Sequence, residues 1–304
     1  MSGLPAMMRV VVRGLAVTVV VCLVTVVVGV SLALRSGATA FKVVDVSTPD
    51  HRWTPDQPLF IALLGNDARP GAGCGCADAV HVFGVPAGGG QGTMINIPRD
   101  TRVPIPGRGT TRINEMLQAG GAPAAARVLG SFLGVTINYV VITSFGGLTD
   151  MINEIGGVIV DVPFAMRDAN SGANFTAGPN LMLGPQALAF SRNRHLAGGD
   201  FTRSENQARL MIAVLARMRD EKSGVVDSMK QLVILSRHTE LEGMGTTELF
   251  RLGRLALGID TDQIRSVVMP GHTVNIGGAS EVEADREAKD LFADFADDAV
   301  LQSH

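Results

Sequence analysis

The chain has 304 residues, of which 46% are hydrophobic and 18% charged, and a formal net charge of −3. That length holds one large domain and a short extra segment, and the balance describes a globular protein with a membrane-like addition. Near-neutral charge excludes binding of nucleic acid, or of a polybasic-dependent membrane surface, through bulk electrostatics.

Residues 14–34 are uncharged and dense in Val, Leu and Ala. As a helix they would span about 32 Å against a hydrocarbon core of ~30 Å. Arg9 and Arg13 precede them, and no acidic residue occurs in the first 40. The positive-inside rule makes residues 1–13 a short cytoplasmic tail and places everything after the span outside. Ala38-Thr39-Ala40 resembles a signal cleavage site, but a signal's apolar core is usually ~7–15 residues. The expectation is therefore an uncleaved single-pass anchor in the cell membrane. Residues 35–58, polar with scattered prolines, read as an extracytoplasmic stalk. Of three cysteines, Cys22 lies in the expected span, and Cys74 and Cys76 are separated by one glycine. In an oxidising compartment such a pair forms a strained disulfide or none.

Residues 59–64 form an apolar run between turn residues and predict a buried strand. It opens into Gly65, Asn66, Asp67, Ala68 and Arg69. Residues 80–85 predict the next strand and residues 93–97 a third. Pro98 stops the third, since it has no N–H for the ladder and restricts its predecessor. Arg99, Asp100, Thr101 and Arg102 follow at a strand end, where open α/β sheets bind ligands. If the three strands are neighbours, Asp67, Arg69, Asp78 and Arg99 share one rim. Two carboxylates ~4 Å apart repel by about 4 kcal/mol at an effective dielectric near 20. A cation between them removes that cost, and hard oxygen ligands suit Mg²⁺.

An Ala-rich helix is expected at 122–133, a strand at 139–143, a helix at 145–155 ended by Gly156 and Gly157, and a strand at 158–162. This alternation predicts an α/β sandwich with helices over a central sheet. A second chemical cluster then appears: Arg192, Arg194, Asp200, Arg203 and Gln207. On an extended segment Arg192 and Arg194 would point the same way. Arg203 and Gln207 share a face at the start of a helix reaching about 222, which Asp200 or Thr202 would cap. Four such donors beside a helix N-terminus suit a doubly charged, oxygen-rich ligand, because arginine forks bind phosphate bidentately. Beyond 222, helices are expected at 225–237 and 247–257, a strand at 263–269 and an acidic helix at about 281–301. His272 reads as structural.

Ile97-Pro98-Arg99-Asp100-Thr101, then Ile105-Pro106-Gly107, then Arg112-Ile113-Asn114 resembles the signature of the LytR-CpsA-Psr family. Arg192-x-Arg194 followed by Asp200, Arg203 and Gln207 is similar to its second motif. Gly134-Val135, Gly156-Gly157-Val158 and Val162-Pro163 match its structural punctuation. The resemblance is close over 59–222 and looser over 223–304, making 59–304 one catalytic domain. It implies a central mixed β-sheet flanked by helices, with an apolar tunnel for a lipid tail.

The implied activity is transfer of a glycopolymer, as glycosyl phosphate, from a polyprenyl pyrophosphate carrier to peptidoglycan. Asp67 and Asp78 would lie near Mg²⁺, with Mn²⁺ as an alternative. Arg69, Arg99, Arg192, Arg194, Arg203 and Gln207 would hold the pyrophosphate. Asp67, Arg99, Asp100 and Asp200 would be the catalytic set, with Asp67 or Asp100 accepting the hydroxyl proton. The polymer could be arabinogalactan, teichoic acid or capsule. One departure stands out. Family members usually carry Arg-Ser-Asp-Thr around the second acidic residue, whereas this chain has Cys76-Ala77-Asp78-Ala79. The alternative is accordingly a catalytically weak or inactive relative that binds polyprenyl-linked glycans and regulates wall assembly.

Overall fold

A computed structural model describes residues 39–48, 52–66, 75–193, 196–219, 234, 237–245, 248, 251–252, 255–256 and 258–302. The span expected at 14–34 lies outside them, as do Asp67, Arg69 and Arg194 and most of the helices expected at 225–237 and 247–257. Among the described residues no helix is long and apolar enough to cross a membrane.

A seven-stranded sheet organises the chain. It is built from β1 (Phe41–Asp45), β2 (Leu59–Asn66), β3 (Ala77–Val85), β4 (Gly92–Ile97), β7 (Tyr139–Ser144), β12 (Thr239–Glu242) and β13 (Ile264–Val268), in the order β12-β1-β7-β2-β3-β4-β13. β2, β3 and β4 are neighbours, the condition for a shared rim, and run antiparallel, while β2–β7 and β4–β13 pair in parallel, so the sheet is mixed. Hairpin β5 (Arg102–Ile105) and β6 (Gly109–Arg112) follows β4. β8 (Val158–Val162) pairs with β11 (Gly178–Met182) around a small hairpin of β9 (Met166–Asp168) and β10 (Ala173–Phe175). β14 (Gly271–Ile276) and β15 (Ala279–Ala284) close the set.

Five helices cover the sheet among the described residues: α1 (Gly121–Leu133), α2 (Phe145–Glu154), α3 (Gly184–Arg192), α4 (Asp200–Met218) and α5 (Arg286–Asp298). The period of two along β2 divides the core. Phe60, Ala62 and Leu64 pack with α1 and α5, where the Phe60 and Phe295 rings meet edge to face at 5.2 Å. Leu59 joins Phe83, Met94, Tyr139 and Ala208 on the side of α4. A third cluster of α2, α3, α4 and β8–β11 side chains includes Met151, Phe190 and Leu210. Every residue of β4 is buried, the polar Thr93 and Asn96 included. Gly134 ends α1 with φ 74°, a conformation in which a Cβ is strained. α2 is capped by Ser144, whose Oγ accepts from Gly147 N–H at 3.1 Å.

Four expectations need correction. Phe41–Asp45, expected within a polar stalk, form β1, an inner strand held between β12 and β7. The acidic helix expected at about 281–301 begins only at Arg286, because 279–284 is strand β15. Arg192 is the last residue of α3 and does not lie on an extended segment; Asn193, which follows it, is extended. Neither Asp200 nor Thr202 caps α4: the N-cap is Gly199, Thr202 Oγ1 donates to Ala197 C=O, and Asp200 is engaged elsewhere. Cys76 is disulfide-bonded, and both other cysteines lie outside the described residues.

Candidate active site

Pro98 ends β4 and its carbonyl closes a tight turn, accepting from Thr101 N–H at 3.0 Å and Thr101 Oγ1 at 2.6 Å. Arg99 and Asp100 occupy that turn. Its other bonds come from distant segments: Asn114 N–H donates to Arg99 C=O at 3.1 Å, Ile113 N–H to Thr101 C=O at 2.7 Å and Val282 N–H to Asp100 C=O at 3.0 Å. A loop held from three directions presents its side chains in fixed positions, which is what a charged ligand requires.

Around this loop the structure gathers much of the expected cluster. The Arg99 guanidinium meets Asp78 Oδ1, at the start of β3. Arg99 N–H donates to Asp200 Oδ2 at 2.9 Å, and Asp200 Oδ1 meets Arg203 one turn along α4. Asp100 lies 3.7 Å from Arg99 Nε and 3.7 Å from Arg112. Both are too long for hydrogen bonds, so Arg99 Nε–H is buried with no acceptor among the described residues. Burial pushes the Asp100 carboxyl above the ordinary range, and the nearby Asp200 charge pushes the same way, against Arg99, Arg112 and Arg203.

Arg203 and Gln207 are both buried on α4. Gln207 Nε2 donates to Ser191 C=O at 3.2 Å, tying α4 to the last turn of α3 beside Arg192. Beneath them is His81, fully buried on β3, opposite Asn96 of β4. Asn96 Nδ2 donates to Ser266 Oγ at 2.9 Å, which leaves Asn96 Oδ1 to accept from His81 Nδ1–H at 2.8 Å. Burial drives the imidazole down to about 4, opposed by its Asn96 and Gln207 neighbours, so it is neutral at physiological pH.

Sequence reading missed His81 and the Arg112 contact. It also missed Asn66 and Asn114, whose Oδ1 atoms are buried with no hydrogen-bond partner among the described residues. Arg112 and Asn114 stand inside the signature stretch, which was the available signal. His81 sits within an apolar strand and gave none. His272, read as structural, meets Asp285 at 2.6 Å on an exposed edge.

For a metal, no group of three or more His, Cys, Asp or Glu side chains able to hold one occurs among the described residues. Asp78 supplies one oxygen donor group facing a cation, Arg99. Mg²⁺ is commonly held by one or two carboxylates with ligand phosphates supplying the rest, and that pattern fits Asp78.

The LytR_cpsA_psr family model matches residues 32–294. The chain belongs to the LytR-CpsA-Psr family. Among curated family relatives, it is 30% identical over 194 residues to the polyisoprenyl-teichoic acid–peptidoglycan teichoic acid transferase TagV of Bacillus subtilis strain 168, covering 60% of this chain and 49% of TagV. It is 34% identical over 161 residues to the TagU transferase of Halalkalibacterium halodurans, covering 52% of each. The chain thus spans about half the length of the curated relatives it matches. The crystal structure of B. subtilis TagV superposes with a TM-score of 0.66 at 28% identity, covering 78% of this chain and 94% of that one. The fold, a mixed sheet flanked by helices, is that of the LytR-CpsA-Psr structures.

Proposed function

We propose that this LytR-CpsA-Psr chain is a membrane-anchored extracytoplasmic phosphotransferase that moves a glycopolymer from a polyprenyl pyrophosphate to peptidoglycan. One observation carries the reading: Arg99, whose buried Nε–H has no acceptor among the described residues, stands in a rigid turn linked through Asp200 to buried Arg203. Buried charged donors are stable only when matched by an acceptor, and pyrophosphate oxygens are acceptors of the right charge. Gln207 ties α4 to the end of α3 beside Arg192, and Arg192, with Arg69 and Arg194 outside the described residues, would supply the remaining pyrophosphate contacts. The family resemblance implies an apolar tunnel, which would take the polyprenyl tail.

In the reaction an acceptor hydroxyl oxygen forms a bond to the phosphorus that bears the glycan. The bridging P–O bond breaks, and polyprenyl phosphate leaves with the bridging oxygen. The hydroxyl proton goes to a carboxylate. Asp100 suits that role best among the described carboxylates, because burial and Asp200 raise it above the ordinary carboxylate range and its arginines stand off at 3.7 Å, while Asp78 and Asp200 each meet an arginine directly. Arginines fixed before the reaction stabilise the charge that spreads over the phosphate oxygens. Mg²⁺, or Mn²⁺, would be held by Asp78 with Asp67 and would neutralise phosphate charge when bound. The names of TagV and TagU favour a teichoic acid as the polymer.

A second reading is favoured by Cys76 and Ala79, which replace the arginine and threonine usual in the family: a non-catalytic binder of the same lipid. Incubating the full chain in detergent micelles with a polyprenyl-pyrophosphate glycan and peptidoglycan separates the two. Release of polyprenyl phosphate that requires Mg²⁺ and is lost in Arg99→Ala supports the transferase. Tight binding without release supports the binder, and Cys76→Arg would then restore turnover.

A further inference from the structure

β8 and β11 form a two-stranded ribbon apart from the main sheet, and its two faces are unlike. Val158, Val160 and Val162 are buried in the cluster that holds Met151 and Phe190. Alternation makes the opposite face polar when that face meets water. Instead Ile159 is 64% exposed and Leu181 63%, and the register sets them directly opposite each other. Leu183, 44% exposed, leans with Leu181 over Gly157, where their methyl carbons come within 3.2 Å of the position a Cβ would take. Phe164 is exposed just past the end of β8. Of the five large apolar side chains exposed among the described residues, Ile159 and Leu181 lie on this ribbon, Phe164 and Leu183 follow directly after its two strands, and the fifth, Ile276, lies on β14. Such clustering marks an interaction surface, whereas scattered exposure would not.

We propose that this face of the ribbon rests in the headgroup–acyl boundary of the bilayer that anchors the chain. The inference builds on the reading of 14–34 as a membrane span. What selects a bilayer as occupant is how the chain enters the fold. Ser144 Oγ donates to Thr39 C=O at 2.5 Å, and Ser144 N–H to Ala40 C=O at 2.9 Å. Thr39 and Ala40 press so closely on Gly147 that a side chain there would collide with their backbone. The first residues of the described fold are therefore fixed to the start of α2. Only 35–38 remain between the expected span and that fixed point, a reach of at most about 14 Å. α2 is about 15 Å long at ~1.5 Å per residue, and its far end carries the ribbon. There Gly157 N–H donates to Ile152 C=O at 2.8 Å, and Gly184 N–H to Asn153 Oδ1 at 2.8 Å. A stalk this short holds the ribbon within reach of the membrane surface.

Charge agrees with that placement. Arg217 donates to Ile155 C=O at 3.2 Å, which sets a cation two residues from Gly157, where it would face lipid phosphates. Asp161, exposed on the same ribbon face opposite Pro179, marks the watery limit of the patch, so the contact is interfacial and shallow. From its N-cap Leu183 to its last residue Arg192, α3 rises about 14 Å. With Leu183 at the boundary, the phosphate-binding arginines stand just above the headgroups from which a lipid-linked substrate must rise.

The test uses the full chain reconstituted into phosphatidylglycerol–phosphatidylethanolamine vesicles, with and without acyl-brominated lipid. Trp53, the single tryptophan of the sequence, is buried and serves as the internal reference. In Leu181→Trp the added emission is expected to fall by about twofold or more on bromination, while wild type and Ile276→Trp stay unchanged. An unchanged Leu181→Trp signal in a chain that resists alkaline extraction would overturn the proposal. So would a blue-shifted Leu181→Trp signal insensitive to bromination, which means protein covers the patch. Extraction of the chain at alkaline pH would remove both the anchor reading and this one. Leu181→Lys, checked for folding by melting, is expected to slow polyprenyl phosphate release from vesicles and leave release in micelles unchanged. Absence of release in micelles from wild type counts against the transferase reading alone, since quenching does not depend on turnover.

Discussion

Asp200→Asn probes the electrostatic centre of the site. Asp200 uses one oxygen for Arg99 N–H and the other for Arg203, whose side chain is only 3% exposed. Asparagine keeps an acceptor for the N–H but withdraws the charge facing Arg203. Removing one partner of a buried ion pair costs about 3–5 kcal/mol, since the other charge is left uncompensated. Asp200 itself is 17% exposed, and its loss relieves repulsion on Asp100, so the low end, about 3 kcal/mol, is expected. At ~2–4 °C per kcal/mol for a chain of this size, calorimetry of the full chain in micelles should show melting lowered by about 6–12 °C. Adding Arg203→Met, which removes the stranded charge, should recover part of the loss. A fall below about 2 °C for Asp200→Asn, or losses that simply add in the double variant, would refute the argument.

Arg99→Lys keeps the charge facing Asp78 but loses the guanidinium fork, so polyprenyl phosphate release should fall by about 10²–10³-fold with melting little changed. His81 gives a pH signature. Its folded value of about 4 lies below the ordinary 6.5, so the unfolded chain binds the extra proton. The stability contributed by the neutral ring is complete above pH 6.5 and is lost as pH falls toward 4, by roughly 3 kcal/mol. The difference between wild type and His81→Gln in urea midpoints should therefore shrink across that window; a constant difference would contradict a buried neutral ring. Asp100 has the opposite sign. Its raised folded value favours the protonated form, so its contribution is present below the ordinary 3.8 and lost as pH rises through the folded value. Asp100→Asn should melt higher than wild type at pH 7 and no higher at pH 3, while slowing release.

Much of this was legible because burial and motif chemistry write themselves into local sequence. β2, β4 and β8 appear as short β-branched or apolar runs, and the Ala-rich α1 ends at a glycine whose positive φ explains its choice. The Arg99 turn and the α4 donors were readable from residue type and spacing, and the structure joins them through Asp200, a link that no spacing rule contains. β1 was hidden because Lys42 looks like stalk; it lies on a half-exposed strand where it pairs with Glu242 at 2.6 Å. β15 was hidden because Glu281 and Glu283 imitate a solvated helix face. Their charges are answered from β5 by Arg102, at 2.5 and 3.7 Å. A two-glycine turn at Gly277 and Gly278 was the overlooked signal. Arg192 was given the wrong local geometry because two arginines two apart suit a strand as well as a helix end.

Identifying what leaves the lipid carrier tests the central claim most directly. The full chain in micelles, Mg²⁺, peptidoglycan and a polyprenyl-pyrophosphate glycan with phosphorus label on the glycan-bearing phosphate would be analysed by where the label ends. The account predicts label on peptidoglycan as a phosphodiester and unlabelled polyprenyl monophosphate in the lipid fraction, both absent in Arg99→Ala. Label released as free phosphate, or retained on intact lipid bound to the protein, would contradict it.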